Sequence, residues 1–206
     1  MAKWFRRIIS LLSMSPKCFR VLKPFTDISW YDGIDLNQYL QTFSKSKQTS
    51  DQLKTRRPFR ILLSSGHGRD DRLAAGPYRD AFYTVALYEY TNTADQTIPE
   101  YTNYLACIGF DVKNRAVVVK QIQGNPGKGG VLNLFKWERM LLTILTDWAR
   151  QNCFAQVRVV RAKGQKWFCP REEERTKRMF MHYDVTARRS GFRFDQAYRQ
   201  YVKDLT

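Results

Sequence analysis

Two periods of apolar residues divide the chain. Phe59-Arg-Ile-Leu-Leu-Ser64 is an apolar run of strand length. Ala81 to Tyr90 alternates, with Phe82, Thr84, Ala86 and Tyr88 on one face and Tyr83, Val85, Leu87 and Glu89 on the other. Tyr104–Val112 and Arg115–Val119 flank Lys113-Asn114, and two strand-like runs joined by two residues with Asn predict a β-hairpin. The second run is β-branched at Val117, Val118 and Val119 and closes at Ile122.

The period then changes. Leu134, Trp137, Leu141, Ile144, Leu145 and Trp148 line one wide helical face, while Glu138, Arg139, Thr143, Asp147 and Arg150 fall mostly opposite. Asn152 ends this helix, and Phe154–Arg161 reads as another strand. Strand, loop, helix and strand of these lengths predict a βαβ crossover. The loop inside it holds Gly124, Pro126, Gly127, Gly129 and Gly130 around Lys128. A glycine-rich turn that opens a helix leaves backbone N–H groups for an anion; equally, its glycines serve a flexible loop that needs φ > 0.

A second helix begins at Arg171-Glu-Glu-Glu-Arg175, where acidic residues suit the helix dipole. Met179, Tyr183 and Ala187 mark its buried face, and Gly191 terminates it. Phe192–Leu205 fits strand or helix. Upstream, Leu36–Phe43 predicts a short helix with Asp35 as N-cap, and Ser44–Arg57 is polar and without period, a linker or loop. Residues 1–25 intersperse Lys3, Arg6, Arg7, Lys17, Arg20 and Lys23 with apolar side chains. Their apolar stretch is short and Pro16–Arg20 replaces a small-residue cleavage site, so an amphipathic helix fits better than a signal peptide. Such a helix packs on its own domain, or meets a membrane surface or a protein partner.

At 206 residues the chain suits one domain that needs no disulfide or metal to hold its core. Against 35 Lys and Arg stand 19 Asp and Glu, a net charge of +16, which attracts RNA or another polyanion. Cys18, Cys107, Cys153 and Cys169 form no CxxC pair and there are two histidines, so no metal site is expected and the thiols read as those of a reduced, cytoplasmic protein. His67 beside Asp70 and Asp71 has the makings of an oriented base, or of a solvated loop. Arg158, Arg161, Lys163, Lys166, Trp167 and Arg171 form a basic-aromatic stretch suited to phosphates and stacked bases, or a solvated cationic face.

The ordered set of elements resembles the GNAT acyltransferase fold. The resemblance spans residues 58–206 and leaves 1–57 as a basic N-terminal extension and linker. It implies an α/β (α+β) fold, a mixed, mainly antiparallel sheet flanked by helices. In that family a Gln/Arg-x-x-Gly-x-Gly/Ala loop holds the pyrophosphate of acetyl-CoA through backbone amides. Here Gln121-x-x-Gly124 and Gln123-x-x-x-Gly127-x-Gly129 each match in part. The family's last helix ends in Gly-Phe, as Gly191-Phe192 does, but the position of its acid tyrosine holds Ala187, with Tyr183 one turn earlier.

The resemblance implies an N-acyltransferase that uses acetyl-CoA or another acyl-CoA, with an amine as acceptor that RNA or protein could carry. Gln121, Gln123, Gly124, Gly127, Lys128, Gly129 and Gly130 would hold the donor. Tyr183 or His182 would take the acid role, and Asp111 or Glu89 would accept the amine proton through water. The departure at Ala187 also admits a fold kept without transferase chemistry, as an RNA-binding or assembly protein.

Overall fold

The computed structural model describes residues 16–26, 28–54, 59–66, 79–89 and 104–205. Expectations for residues 1–15 and for His67, Asp70 and Asp71 lie outside them. The described elements run α1 (Pro16–Thr26), β1 (Ser29–Trp30), α2 (Leu36–Phe43), α3 (Lys47–Lys54), β2 (Phe59–Ser65), β3 (Tyr83–Glu89), β4 (Tyr104–Lys113), β5 (Ala116–Gly124), α4 (Gly129–Leu132), α5 (Trp137–Gln151) and β6 (Gln156–Val160). A short 3₁₀ turn (Ala162–Gly164) leads to α6 (Glu173–Phe180), a π turn (Met181–Val185), α7 (Thr186–Arg189), β7 (Arg193–Asp195) and β8 (Gln200–Asp204).

The strands form one eight-stranded sheet in the order β1-β2-β3-β4-β5-β6-β8-β7. Every pairing is antiparallel except β5 with β6, which the α5 crossover makes parallel. This is the expected mixed, mainly antiparallel sheet flanked by helices. The C-terminal segment, open to either assignment in the sequence, supplies two strands, with β8 inserted between β6 and β7.

The hairpin turn falls one residue later than the sequence suggests. Asn114 (φ 44°) and Arg115 (φ 61°) form it, both left-handed as a twisted two-residue hairpin prefers.

Alternation along the strands sends Ile61, Leu63, Tyr83, Val85, Ile108, Phe110, Val117, Val119, Val157 and Val159 into the main core. The apolar face of α5 covers them with Met140, Leu141, Ile144, Leu145 and Trp148. Leu62, Ala86, Tyr88, Tyr104 and Cys107 form a smaller cluster with Ile28 and Trp30.

The N-terminal residues share the main core. Phe25 meets Tyr83, Phe110 and Trp148 edge-on, with ring centroids 5.3–5.6 Å apart. Leu40, Phe43 and Leu53 are buried with them. Where lack of period predicts a loop over 44–57, the chain forms α3; Ser46 and Thr49 bond each other's backbone N–H groups at its start, and Leu53 supplies its apolar anchor. Asp35 caps α2 as expected, accepting Gln38 N–H at 3.3 Å. Beyond α2, Lys136 N–H donates to Phe43 O and Lys45 N–H to Leu134 O, which ties the N-terminal segment to the start of α5.

Candidate active site at the gap between β5 and β6

β5 is bulged and then released. Gly109 pairs with Gln121 but Phe110 with Val119, so Lys120 is an extra residue on β5, a β-bulge. The parallel pairing with β6 covers only Ala116–Val119 against Gln156–Val159. After the bulge, Gln121–Gly124 stay bonded to β4 and leave the β6 side open.

Tyr183 fills that edge. Its hydroxyl accepts the Ile122 N–H at 3.0 Å and lies 3.5 Å from Lys120 O, so it replaces the ladder partner that β6 no longer supplies. Burial pushes the hydroxyl far above its ordinary pKa, with the Ile122 bond acting in the opposite direction. It is a neutral donor and acceptor.

The π turn sets this up. It carries Tyr183 and Asp184 into the protein together, and π turns recur where a helix serves a site. Asp184 accepts Ala162 N–H at 2.8 Å, Tyr201 Oη–H at 3.2 Å and Arg161 Nε–H at 3.3 Å. Those bonds pin the turn to the end of β6 and to β8. Ala187 is fully buried where α7 meets α5, so the side chain reaching β5 comes from Tyr183.

His182 points the other way along the same turn. Its Nδ1 lies 2.9 Å from Glu138 Oε1, and its ring lies 5.5 Å from that of Trp137.

The glycine loop continues β5 directly. Asn125 fixes its entry, with N–H to Leu105 O and Nδ2–H to Tyr104 O, both 2.7 Å. Gly127 has φ +85°, a conformation side chains resist. A Cβ on Gly130 would meet nothing within 4 Å, and one on Gly129 only Asn133 Nδ2 at 3.9 Å. Among the described residues, the Gly129 and Gly130 N–H groups at the start of α4 donate to no backbone carbonyl. Lys128 stands beside them as the residue before the helix. These donors and one ammonium, at an exposed turn, suit a phosphate-bearing ligand.

Gly124 serves packing instead, since a Cβ there would lie 3.1 Å from Leu132 Cδ1 and 3.3 Å from Trp137 Cζ2. Gln121 is buried: its Oε1 accepts Asp80 N–H at 3.0 Å and its Nε2 donates to Gln123 Oε1 at 2.7 Å. The two glutamines therefore brace the strand.

The remaining candidates spread out. Asp111 forms an ion pair with the bulged Lys120 and accepts Phe82 N–H at 2.9 Å, so it holds the bulge and the start of β3. Glu89 closes β3 opposite Phe59, with β4 between β3 and β5. Of the four proton-transfer candidates, Tyr183 alone bonds the released edge of β5, while His182 lies against Trp137 and Glu138.

The basic stretch divides too. Arg158 lies 3.5 Å over the Tyr198 ring and donates to Gln156; Arg161 lies 4.7 Å over Phe194 and donates to Asp184. Lys163, Lys166, Trp167 and Arg171 are exposed, with Lys166 Nζ 4.7 Å over Trp167 and the indole N–H donating to Asp80. Glu138 and Asp80 were not legible as site residues. Glu138 reads only as a solvent-side position of α5, and Asp80 carries no motif.

Among the described residues no group of three His, Cys, Asp or Glu side chains can hold a metal ion, and no helix is long and apolar enough to cross a membrane.

No family model and no curated protein matches the sequence. Among solved structures the chain is similar to a GNAT family N-acetyltransferase (YhbS) from Escherichia coli in complex with CoA, at 12% identity and a TM-score of 0.32. The match covers 87% of this chain and 81% of that one. At so low an identity and TM-score, function has to be read from the chain's own geometry.

Proposed function

We propose that the chain is a GNAT-like acyltransferase that moves an acyl group from acyl-CoA to an amine. The observation that carries this reading is the release of β5 from β6 after Val119, in a strand that runs straight into the Gly127–Gly130 turn. A parallel pair opened in this way offers an extended arm a stretch of strand edge that only the Tyr183 side chain covers, and the turn offers N–H groups to its phosphates.

In this reading Gly129, Gly130 and Lys128 hold the donor's pyrophosphate, while Gln121, Gln123 and Gly124 keep the strand in shape to receive the rest. Acetyl-CoA or another acyl-CoA would supply a thioester to be opened. Ile122 N–H is the backbone donor at the gap, and a carbonyl bound there would be polarised as charge develops on its oxygen. Tyr183 holds that N–H in the free protein, so donor binding moves the hydroxyl aside and leaves it beside the reacting atoms. Holding amine and carbonyl in reacting geometry supplies most of the rate in such a site. The acceptor amine is free, or borne by RNA or protein drawn in by the charge of +16.

Isothermal titration with CoA and acetyl-CoA tests the reading. Binding weakened by K128A supports it; no heat at millimolar ligand ends it.

The Tyr183–Ile122 bond also favours a second reading, in which the gap is permanently closed and the fold serves as an RNA-binding or assembly protein. Lys163, Lys166, Trp167 and Arg171 are then the contact surface. Several phosphate contacts imply affinity that falls steeply with salt, by a factor of ~10³ or more between 50 and 200 mM for about 6–10 contacts. RNA affinity flat across that range excludes it.

A further inference from the structure

Near the end of β5 stands a polar pair drawn from two helical segments. Glu138 stands in the first turn of α5, and His182 in the π turn, one residue before Tyr183. His182 Nδ1 and Glu138 Oε1 are 2.9 Å apart. A carboxylate only accepts hydrogen bonds, so Nδ1–H is the donor, and in the neutral imidazole the lone pair then lies on Nε2. The imidazole leans on Trp137 at 49°. The Trp137 indole in turn lies against Gly124, the last residue of β5. Imidazole, indole and strand end thus adjoin one another where β5 runs into the glycine turn. The side chains of His182 and Glu138 are 31% and 21% exposed, so an arriving substrate can reach them.

A histidine whose one nitrogen is fixed by a carboxylate, leaving the other bare, is the arrangement that proton transfer requires.

We infer that His182 is the proton-transfer residue of this site and that Glu138 is its positioning residue, an inference that rests on the acyl-transfer reading. As the amine nitrogen bonds to the thioester carbon, Nε2 takes the proton that the amine must lose. The carbon–sulfur bond then breaks, and the imidazolium returns the same proton to the leaving thiolate. The products are an amide and a free thiol, with His182 restored. No oxidant, metal or further reactant is needed. The acceptor is therefore a primary or secondary amine that attacks uncharged, an ammonium form having first lost its extra proton to solvent.

Two measurements on the full chain test this. In ¹⁵N-histidine long-range NMR at neutral pH, the proton of His182 should sit on Nδ1, and E138A should move it to Nε2, the commoner tautomer. In steady-state acyl transfer, H182A should lower kcat about 10²-fold or more with little change in KM for acyl-CoA, since general acid–base groups supply that much. Added imidazole should recover part of the loss, which repair of a merely structural defect would not do.

A proton on Nε2 in the unaltered chain, or an H182A kcat equal to that of the parent, overturns the relay while acyl transfer stands. An unaltered chain that transfers no acyl group overturns the acyl-transfer reading and the relay with it, whatever the tautomer.

Discussion

The Tyr183 hydroxyl accepts the backbone N–H of Ile122 at 3.0 Å, across 61 residues of sequence. It is a side chain completing a β-ladder. Replacing it with phenylalanine leaves a buried N–H without a partner, which costs about 1–3 kcal/mol. Y183F should therefore unfold at lower denaturant by that amount, and hydrogen exchange at the Ile122 amide should rise more than at Val117 or Val119, which β6 still covers. Equal exchange at Ile122 in both proteins would show that the hydroxyl is not its partner.

Asp184 is a stronger anchor. It is almost wholly buried and accepts from Ala162, Arg161 and Tyr201. Its removal leaves the Ala162 N–H and the Tyr201 hydroxyl without their acceptor, at about 1–3 kcal/mol for each buried group. D184A should lose stability on that scale in urea titrations, well beyond the loss in Y183F, because it detaches the π turn from β6 and β8 at once.

Two glycines should respond in opposite ways to one added methyl group. At Gly109 a Cβ would lie 2.9 Å from Gln121 Oε1 and 3.1 Å from Ala81 Cβ. Neither neighbour has room to retreat in a packed sheet, so G109A should destabilise by about 1–3 kcal/mol. At Gly130 a Cβ meets open space, and the residue lies in a helical turn where alanine is the better former. G130A should leave stability unchanged or slightly raised in the same thermal melts.

Tyr39 links α2 to α5 by donating to Asp147 Oδ2 at 2.8 Å. Its pKa is pushed up to about 12 by burial, then by the bond to Asp147 and that carboxylate's charge. The folded state holds this proton more tightly than the unfolded chain, so the stabilisation is whole below pH about 10 and lost as pH rises through about 12. Urea titrations at pH 8 and at pH 11.5–12 should show the advantage of the parent over Y39F shrinking at the alkaline end. A constant difference would refute the linkage.

Cysteine reactivity should follow burial. Cys107 lies in the sheet with its thiol pushed up to about 12 by desolvation, whereas Cys153 is exposed. Because the thiolate is the reactive form, iodoacetamide at pH 8 should label Cys153 in the native protein and Cys107 only after denaturation. Peptide mass mapping reads the outcome directly.

Local pattern carried much of this protein. The three valines of β5, the wide apolar face of α5, the Asn114 hairpin and Gly191 (φ +81°) as a helix end all depend on neighbours within a few residues, and all are legible from the chain. So is the position of the glycine turn, since it depends on a strand stopping and a helix starting. Period alone failed at α3, whose single apolar anchor, Leu53, matters only because the core lies beneath it.

The site was another matter. That Lys120 is bulged depends on the register of β5 against β4, which no run of residues in β5 reveals. That Tyr183 reaches β5 depends on a π turn, which Asp184 ties to β6 and β8. Glu138 meets His182 across 44 residues because α5 and the π turn pack side by side. The sequence determined which segments are strands and helices, because that is a question of local period. Tertiary packing alone decided which side chains face the gap, because strand register and helix phase are set by distant partners.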